Sequence, residues 1–372
     1  MHNSNKWSAQ RVREWHEKQR WCVGCNFLPS YAVNFMDFWH EARFNTELIS
    51  RELKLAQDTG LNAVRVNLNY LVWKHEGQAH LHRIDEFLNI ATKYGLQVIL
   101  VPFDDCQFSG APPRYSKQLG PITGTHNSRA VGSPGREIVL DWQREKSLEA
   151  FLKTIIDRYK TDERILFWDL YNEPGNRMQF VDGQHSEFDL SLEKAALEFM
   201  EAIFEWAREI NPSQPLTVGA WHLPYDWDHE QLAEDWNTEG ALVSGKRPYA
   251  HEIDRRAIAL SDIISFHGYV TKDQMEYLIS RLKKFDRPLY ITEWLARPAG
   301  SRIEEQLPLF KNENIGCFHW GLVNGATQTH LPWPFLGIEA GEWFHDLYYQ
   351  NGESYRNEEI ELFKSLQVEA RN

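Results

Sequence analysis

The chain is poor in cysteine and has no basic run, no apolar stretch of membrane-spanning length, no internal repeat and no low-complexity tract. Each absence removes a class of protein. With 40 Lys and Arg against 53 Asp and Glu the formal charge is −13, and no segment gathers the cations that a nucleic acid or an anionic membrane requires, so no nucleic-acid and no membrane partner is expected. Only Cys22, Cys25, Cys106 and Cys317 are present, too few for a disulfide scaffold and in keeping with a reducing compartment. Cys22-Val23-Gly24-Cys25 has the C-x-x-C spacing, but it lies in a strand-like run with no second such pair and no histidine pair beside it. Zinc is therefore not expected there, and no metal or cofactor is expected elsewhere. The first residues, Met1 to Trp7, are polar and lead into a helical pattern over Ser8–Arg20 without the apolar core of a signal peptide, which gives the expectation of a cytoplasmic protein.

Aromatic residues, by contrast, are plentiful: 15 Trp, 14 Tyr and 20 Phe. Some must fill a core, and others suit a surface on which the apolar faces of sugar rings stack. Across the 372 residues, short apolar β-rich runs alternate with amphipathic stretches, the pattern of βα units in a parallel sheet. Eight strand-like runs are legible: Trp21–Phe27, Asn62–Asn69, Gln97–Asp104, Ile165–Asn172, Leu216–Trp221, Ile263–Tyr269, Pro288–Trp294 and Gly316–Leu322. Helical patterns fall between them at Thr46–Thr59, His82–Tyr94, Asp141–Tyr159, Leu190–Ile210, His251–Leu260, Lys272–Phe285 and Ile303–Glu313, and a last one closes the chain at Glu358–Val368. Gly60 and Gly95 stand where left-handed C-caps belong, and Pro212 stops a helix. The long connections, Leu28–Asn45, Asp105–Leu140, Gly175–Asp189, His222–Ala250 and Val323–Asp346, all follow strands, whereas the helix-to-strand links are short. That asymmetry predicts an α/β fold, a (β/α)8 TIM barrel with long β-to-α loops, in a single domain spanning residues 1–372.

Two carboxylates end buried strands. Glu173 closes Ile165-Leu166-Phe167-Trp168-Asp169-Leu170-Tyr171-Asn172-Glu173, and Glu293 closes Pro288-Leu289-Tyr290-Ile291-Thr292-Glu293. In one parallel barrel they face each other across the mouth, and facing carboxylates are what glycosidic bond cleavage requires. Other strand ends carry Asn26, Arg65, Asp104, Trp221, His267 with Tyr269, and Trp320.

With these pieces, Asn62-Ala63-Val64-Arg65, Asn172-Glu173-Pro174, Ser265-Phe266-His267-Gly268-Tyr269, Ile291-Thr292-Glu293-Trp294 and Phe318-His319-Trp320, the chain resembles the clan of retaining glycoside hydrolases built on this barrel, with families five and two the most similar. The resemblance implies a carbohydrate substrate, Glu173 as acid/base, Glu293 as nucleophile, Asn172 on the sugar 2-hydroxyl, and Arg65, His267, Tyr269 and Trp320 as supporting groups. One departure is plain: strand three ends Pro102-Phe103-Asp104-Asp105, where family five commonly carries a histidine. Double displacement through a glycosyl-enzyme is expected, acting on oligosaccharides or small β-glycosides and in the exo mode. The alternatives are an endo-acting glucanase, mannanase or xylanase, a transglycosylase, a non-catalytic glycan-binding barrel, and a metal-dependent hydrolase using Asp104, Asp105 and His267.

Several side chains admit two readings from sequence. Arg65 serves the nucleophile or a structural ion pair; His267 serves the site or merely orients a neighbour; Trp320 meets sugar or core; Asp104 meets sugar hydroxyls or holds another side chain. His126, His222, His330, Trp73 and Trp333 fall in loops or strand ends of the same face, where sequence alone does not place them.

Overall fold

The eight apolar runs form eight parallel strands: β1 (Val23–Asn26), β2 (Ala63–Asn67), β3 (Gln97–Val101), β4 (Ile165–Asp169), β5 (Leu216–Thr217), β6 (Ile264–His267), β7 (Leu289–Trp294) and β8 (Gly316–Trp320). The computed structural model describes residues 5–222, 249–339 and 341–368. Strands are hydrogen-bonded in the order β6-β7-β8-β1-β2-β3-β4-β5. A parallel bridge between Ala220 and Phe266 joins the two ends, with Ala220 N–H donating to Ser265 O and His267 N–H to Ala220 O, each at 3.0 Å. The expected (β/α)8 barrel is therefore present.

Twelve helices are found among the described residues: α1 (Ala9–Glu17), α2 (Phe35–Trp39), α3 (Thr46–Thr59), α4 (Tyr70–Glu76), α5 (Gln78–Lys93), α6 (Arg136–Val139), α7 (Ser147–Tyr159), α8 (Ser191–Ile210), α9 (Ala250–Leu260), α10 (Lys272–Leu282), α11 (Ile303–Asn312) and α12 (Asn357–Val368). Their apolar stripes face the sheet. In α8 the buried residues Leu192, Ala196, Phe199, Met200, Ile203, Phe204 and Ala207 recur at helical spacing. The Asn45 side chain accepts from Leu48 N–H at the start of α3, and Gly60 ends that helix at φ 93°.

Several elements differ from the sequence expectation, among them the helix expected from His82, which begins at Gln78, and the strand expected over Leu216–Trp221, which ends at Thr217. The helix expected from Asp141 begins at Ser147, because a 3₁₀ turn over Trp142–Arg144 intervenes and Asp141 makes no side-chain cap. The stretch expected as Lys272–Phe285 tightens into 3₁₀ geometry at Lys283–Phe285. Short helices α2, α4 and α6 lie where only loop was expected; α2 and α4 are each capped by an asparagine side chain, Asn34 and Asn69 respectively, and α6 has no side-chain cap. The loop expected over His222–Ala250 lies almost wholly outside the described residues.

Alternation along the strands separates two cores. Val23, Cys25, Val64, Val66, Val98, Leu100, Trp168 and Ile264 point outward into the layer beneath the helices. Cys22, Ala63, Ile99, Phe167, Ile263, Tyr290 and Phe318 form a second cluster inside the barrel, together with Trp7 and Val12 of the N-terminal segment. Cys22 and Cys25 thus belong to opposite layers, which the period-two geometry of a strand explains. The N-terminal segment plugs the floor: Trp7 N–H donates to Asp262 at 2.8 Å, Arg287 donates to Trp7 O at 2.8 Å, and His16 Nδ1 lies 2.9 Å from the Tyr290 hydroxyl. A Cβ at Gly316 would sit 2.2 Å from the Tyr290 ring and one at Gly24 would sit 2.6 Å from the Phe318 ring, so these glycines leave room for the floor aromatics. Among the described residues no helix is long and apolar enough to cross a membrane.

Candidate active site

At the opposite end the strands terminate in polar side chains, and their register brings these together. Asn26 pairs with Arg65 on one side and Trp320 on the other, His267 pairs with Glu293, and past the ends of β3 and β4 Asp104 pairs with Asn172. Both carboxylate strands break the alternation before delivering their acid. The register shifts within β7 between Ile291 and Trp294, and Glu173 adopts φ 44°. Such positive φ is costly for a residue with a Cβ and persists only where the surroundings enforce it.

Arg65 is the hub. It is buried, and its guanidinium donates from Nε to Asp169 at 2.9 Å, from Nη1 to Asn26 Oδ1 at 2.7 Å and Glu293 Oε1 at 3.1 Å, and from Nη2 to Asn172 Oδ1 at 2.7 Å. Asn26 in turn donates to Thr292 O at 2.7 Å. Both sequence readings of Arg65 therefore hold at once, since it pairs with buried Asp169 and with Glu293.

The two glutamates are held differently. The second oxygen of Glu293, Oε2, accepts from the Tyr269 hydroxyl at 2.8 Å, and Tyr269 is braced edge-on by Trp333 at 4.9 Å. Glu173 Oε1 lies 2.8 Å from His267 Nδ1, and its Oε2 accepts from Asn176 Nδ2 at 2.6 Å and from the Cys106 thiol at 3.1 Å. His267 Nδ1 is also 3.6 Å from Glu293. One oxygen of each glutamate and one histidine nitrogen fall within 4.8 Å of one another.

Burial pushes both carboxyl groups upward. For Glu293 the result is about 7, with the charge on Glu173 adding to the burial, while His267, Arg65 and Tyr269 oppose it. For Glu173 the opposition comes from Cys106 and Asn176, then Arg65 and His222. Two buried acids this close titrate as a pair, because ionising the second works against the first. Within the pair, the guanidinium and the phenol favour the charge on Glu293. His267 itself is lowered by burial. The carboxylate-histidine trio has a spacing that a cation would also accept, but Arg65 already supplies positive charge to Glu293.

Asp104 lines the cavity and also holds other side chains: Oδ1 accepts from Asn172 Nδ2 at 2.9 Å and Cys106 N–H at 2.8 Å, and Oδ2 from Asn67 at 3.0 Å. Burial raises its pKa against those three donors. Asp105 is turned away, bound to the Tyr171 hydroxyl and to Gly175 N–H, both at 2.7 Å. Half-buried Trp320 lines the cavity, as do Leu28, Phe35, Phe108, Met178 and Trp333. Trp221 is buried, and its indole donates to Pro174 O at 3.0 Å, so it braces the turn that follows Glu173. Trp73 packs against Tyr70 and Phe151 in the outer layer. His222 is tied to Asp254 at 2.9 Å, and His330 packs against Trp343.

The sequence assigned no site role to Cys106, Asn176 or His345, although His345 lies in the tail Trp343-Phe344-His345-Asp346. Asn176 follows Glu173 by three residues on a positive-φ turn, which no period-based signal marks. His126 Nδ1 lies 2.7 Å from Leu331 O, and His345 Nδ1 contacts Leu295 O. Burial lowers both, His126 to about 4 and His345 well below its ordinary value. Both line the cavity as uncharged rings whose Nε2 atoms are acceptors if Nδ1 carries the proton.

The cavity has a wall. The loop after β3 is stitched to the loop after β8 by Asn127 N–H to Thr327 O at 2.7 Å, Gly124 N–H to Gln328 Oε1 at 3.0 Å, and Gln328 Nε2 to Ile122 O at 2.7 Å and Thr125 O at 3.1 Å. The empty space in front of the glutamates, open mouth included, is about 630 Å3.

The family model described as cellulase (glycosyl hydrolase family 5) matches residues 27–325. No curated protein matches the chain. Among solved structures, the chain is similar to a GH5_18 protein from Streptomyces cattleya in complex with Manb1-4GlcNAc, at 13% identity and TM-score 0.58, covering 93% of this chain and 80% of that one. It is similar to the exo-beta-1,4-mannosidase Op5Man5 from Opitutaceae bacterium strain TAV5, at 16% identity and TM-score 0.58, covering 94% and 60%. The endo-1,4-beta-D-mannanase of Thermotoga petrophila RKU-1 is similar at 15% identity and TM-score 0.56, covering 95% and 99%. At these identities the likeness to the solved structures is one of fold.

Proposed function

The chain belongs to glycosyl hydrolase family 5 and is a retaining O-glycosyl hydrolase, and from that premise we propose that it removes terminal sugars from β-linked oligosaccharides or small β-glycosides, with Glu293 as nucleophile and Glu173 as acid/base. The carrying observation is the glutamate pair with oxygens inside 4.8 Å and unequal donors. Retaining pairs stand roughly 5–5.5 Å apart, whereas inverting pairs leave roughly 6.5–9.5 Å for a water.

In the first step Glu293, charged beside Arg65 and Tyr269, attacks the anomeric carbon while Glu173 gives its proton to the departing oxygen. Esterification removes the charge on Glu293, which makes Glu173 more acidic. Glu173 then takes a proton from the incoming water, whose oxygen bonds to the anomeric carbon as the bond to Glu293 breaks. Asn172, fixed between Arg65 and Asp104, meets the sugar 2-hydroxyl. The whole chain acts as one catalytic unit without a metal ion.

Exo action is supported by the hydrogen bonds that tie the loop after β3 to the loop after β8 beside the cavity, where His126 and Asn127 line it. β-Mannosides come first as substrates because similar folds include an exo-mannosidase and a protein holding Manb1-4GlcNAc. The test is a panel of aryl β-glycosides and oligosaccharides followed by NMR. Release of single sugars with the β-anomer formed first is the expected result. An initial α-anomer would sink retention, rapid viscosity loss on a polymer would establish endo action, and inhibition by chelator would reopen metal chemistry. Transfer products at high acceptor concentration would mark a transglycosylase.

A further inference from the structure

We propose that Cys106 is a positioning residue for Glu173, its thiol donating to Oε2 so as to stabilise the carboxylate form that acts as base in the second half-reaction. The inference rests on Glu173 being the acid/base.

The geometry assigns the direction of each hydrogen bond. Cys106 N–H is fixed by Asp104 Oδ1 at 2.8 Å, which sets the turn that carries the side chain into the cavity wall. The Asn172 and Asn176 amides approach Sγ at 3.4 and 3.5 Å and can only donate. Sulfur therefore accepts from two amides, and its own proton points to the carboxylate oxygen 3.1 Å away. Burial, together with Glu173, Asp104 and Glu293, holds the thiol well above its ordinary pKa, so it remains a donor throughout the working range. The groups facing Glu173 are His267, Asn176, Cys106, Glu293, Arg65, Asp104 and His222. Of these, Asn176 and Cys106 donate to Oε2, the oxygen not engaged by His267.

The consequence differs between the two steps. During glycosylation Glu173 starts protonated, and a donor to its carboxylate lowers its pKa without helping the ground state. During deglycosylation it starts ionised, and the same donor keeps it ready to receive the proton of water while the electron pair of the breaking C1–O bond returns to Glu293. Losing the thiol proton raises the Glu173 pKa in both forms. The alkaline limb of kcat/KM and the acid limb of kcat for an activated substrate both move to higher pH.

Cys106→Ala, the near-isosteric non-donor Cys106→Val, and the donor Cys106→Ser are compared with Glu173→Ala, using a dinitrophenyl glycoside and a poor leaving group, with thermal unfolding to confirm folding. For Ala and Val both limbs are expected to rise by roughly one pH unit, so that kcat on the dinitrophenyl glycoside falls roughly tenfold, with a burst, at a pH below the acid limb and stays close to wild type on the plateau, as one pKa unit implies. Serine should restore the wild-type limbs. Limbs that stay fixed while both parameters fall would reduce Cys106 to packing, and serine behaving like alanine would remove hydrogen bonding from the account. If Glu173→Ala retains full kcat/KM on the poor leaving group, the acid/base assignment itself fails; if it loses activity while the cysteine variants keep their limbs, only the role of Cys106 fails.

Discussion

The floor and the mouth of the barrel are made by the same strands but bury opposite chemistry. At the floor Ala63, Ile99, Phe167, Tyr290 and Phe318 meet the N-terminal segment in an apolar cluster. Two to three residues further along the same strands stand Arg65, Asp169, Glu293 and Trp320, three of them charged and buried. The floor is stabilised by contact and by removing apolar surface from water. The mouth instead keeps charges out of water, which is tolerable only because Arg65 satisfies four partners at once. Substitutions at the floor should therefore register in stability, and those at the mouth in chemistry or in both.

The largest separation is expected from Glu293→Ala, which should lower kcat by roughly 10⁵-fold, a magnitude typical of a lost nucleophile, while leaving thermal unfolding close to wild type. Azide should then yield a product of inverted configuration; retained hydrolysis would end the assignment. Arg65→Leu tests whether the mouth also stabilises the fold. It strands Asp169 and Glu293, and chemical denaturation should show a loss of about 3–5 kcal/mol along with activity; an unchanged unfolding midpoint would show that these carboxyls are simply protonated.

Tyr269→Phe sharpens the electrostatic half of the comparison. Glu293 stands at about 7 with the Tyr269 donor in place, so removing that donor raises it further, and the acid limb of kcat/KM should move upward by roughly one unit. A downward shift would contradict the hydrogen bond. The smallest effect belongs to the floor: Ile263→Val should cost about 0.5–1.5 kcal/mol on unfolding and leave kcat and KM unchanged, since Ile263 belongs to the floor cluster and not to the lining of the cavity.

Much of this was legible in the sequence because parallel barrel strands are buried on both faces and read as apolar runs. All eight were placed, as were most helices, since an amphipathic stripe survives in the sequence at its own period. Helices α2 and α4 escaped because they are too short to show a period and depend on the Asn34 and Asn69 caps. Within the site, the glutamates, Arg65, Asn172, His267 and Tyr269 stood out as polar groups ending apolar runs. Cys106, Asn176 and His345 sit in irregular loops, where no repeating pattern singles out one residue from the next.

Sequence by itself determined the barrel and the two strands that end in acids, because burial imposes periodicities that composition must obey. Tertiary structure decided how those acids are used. The register shift in β7 and the positive φ of Glu173 turn both carboxylates into one cavity where strict alternation would not. Contacts between loops remote in sequence, such as Gln328 with Ile122 and Cys106 with Glu173, supply the wall and the second set of donors. Those interactions depend on distance in space, and a linear pattern carries no record of it.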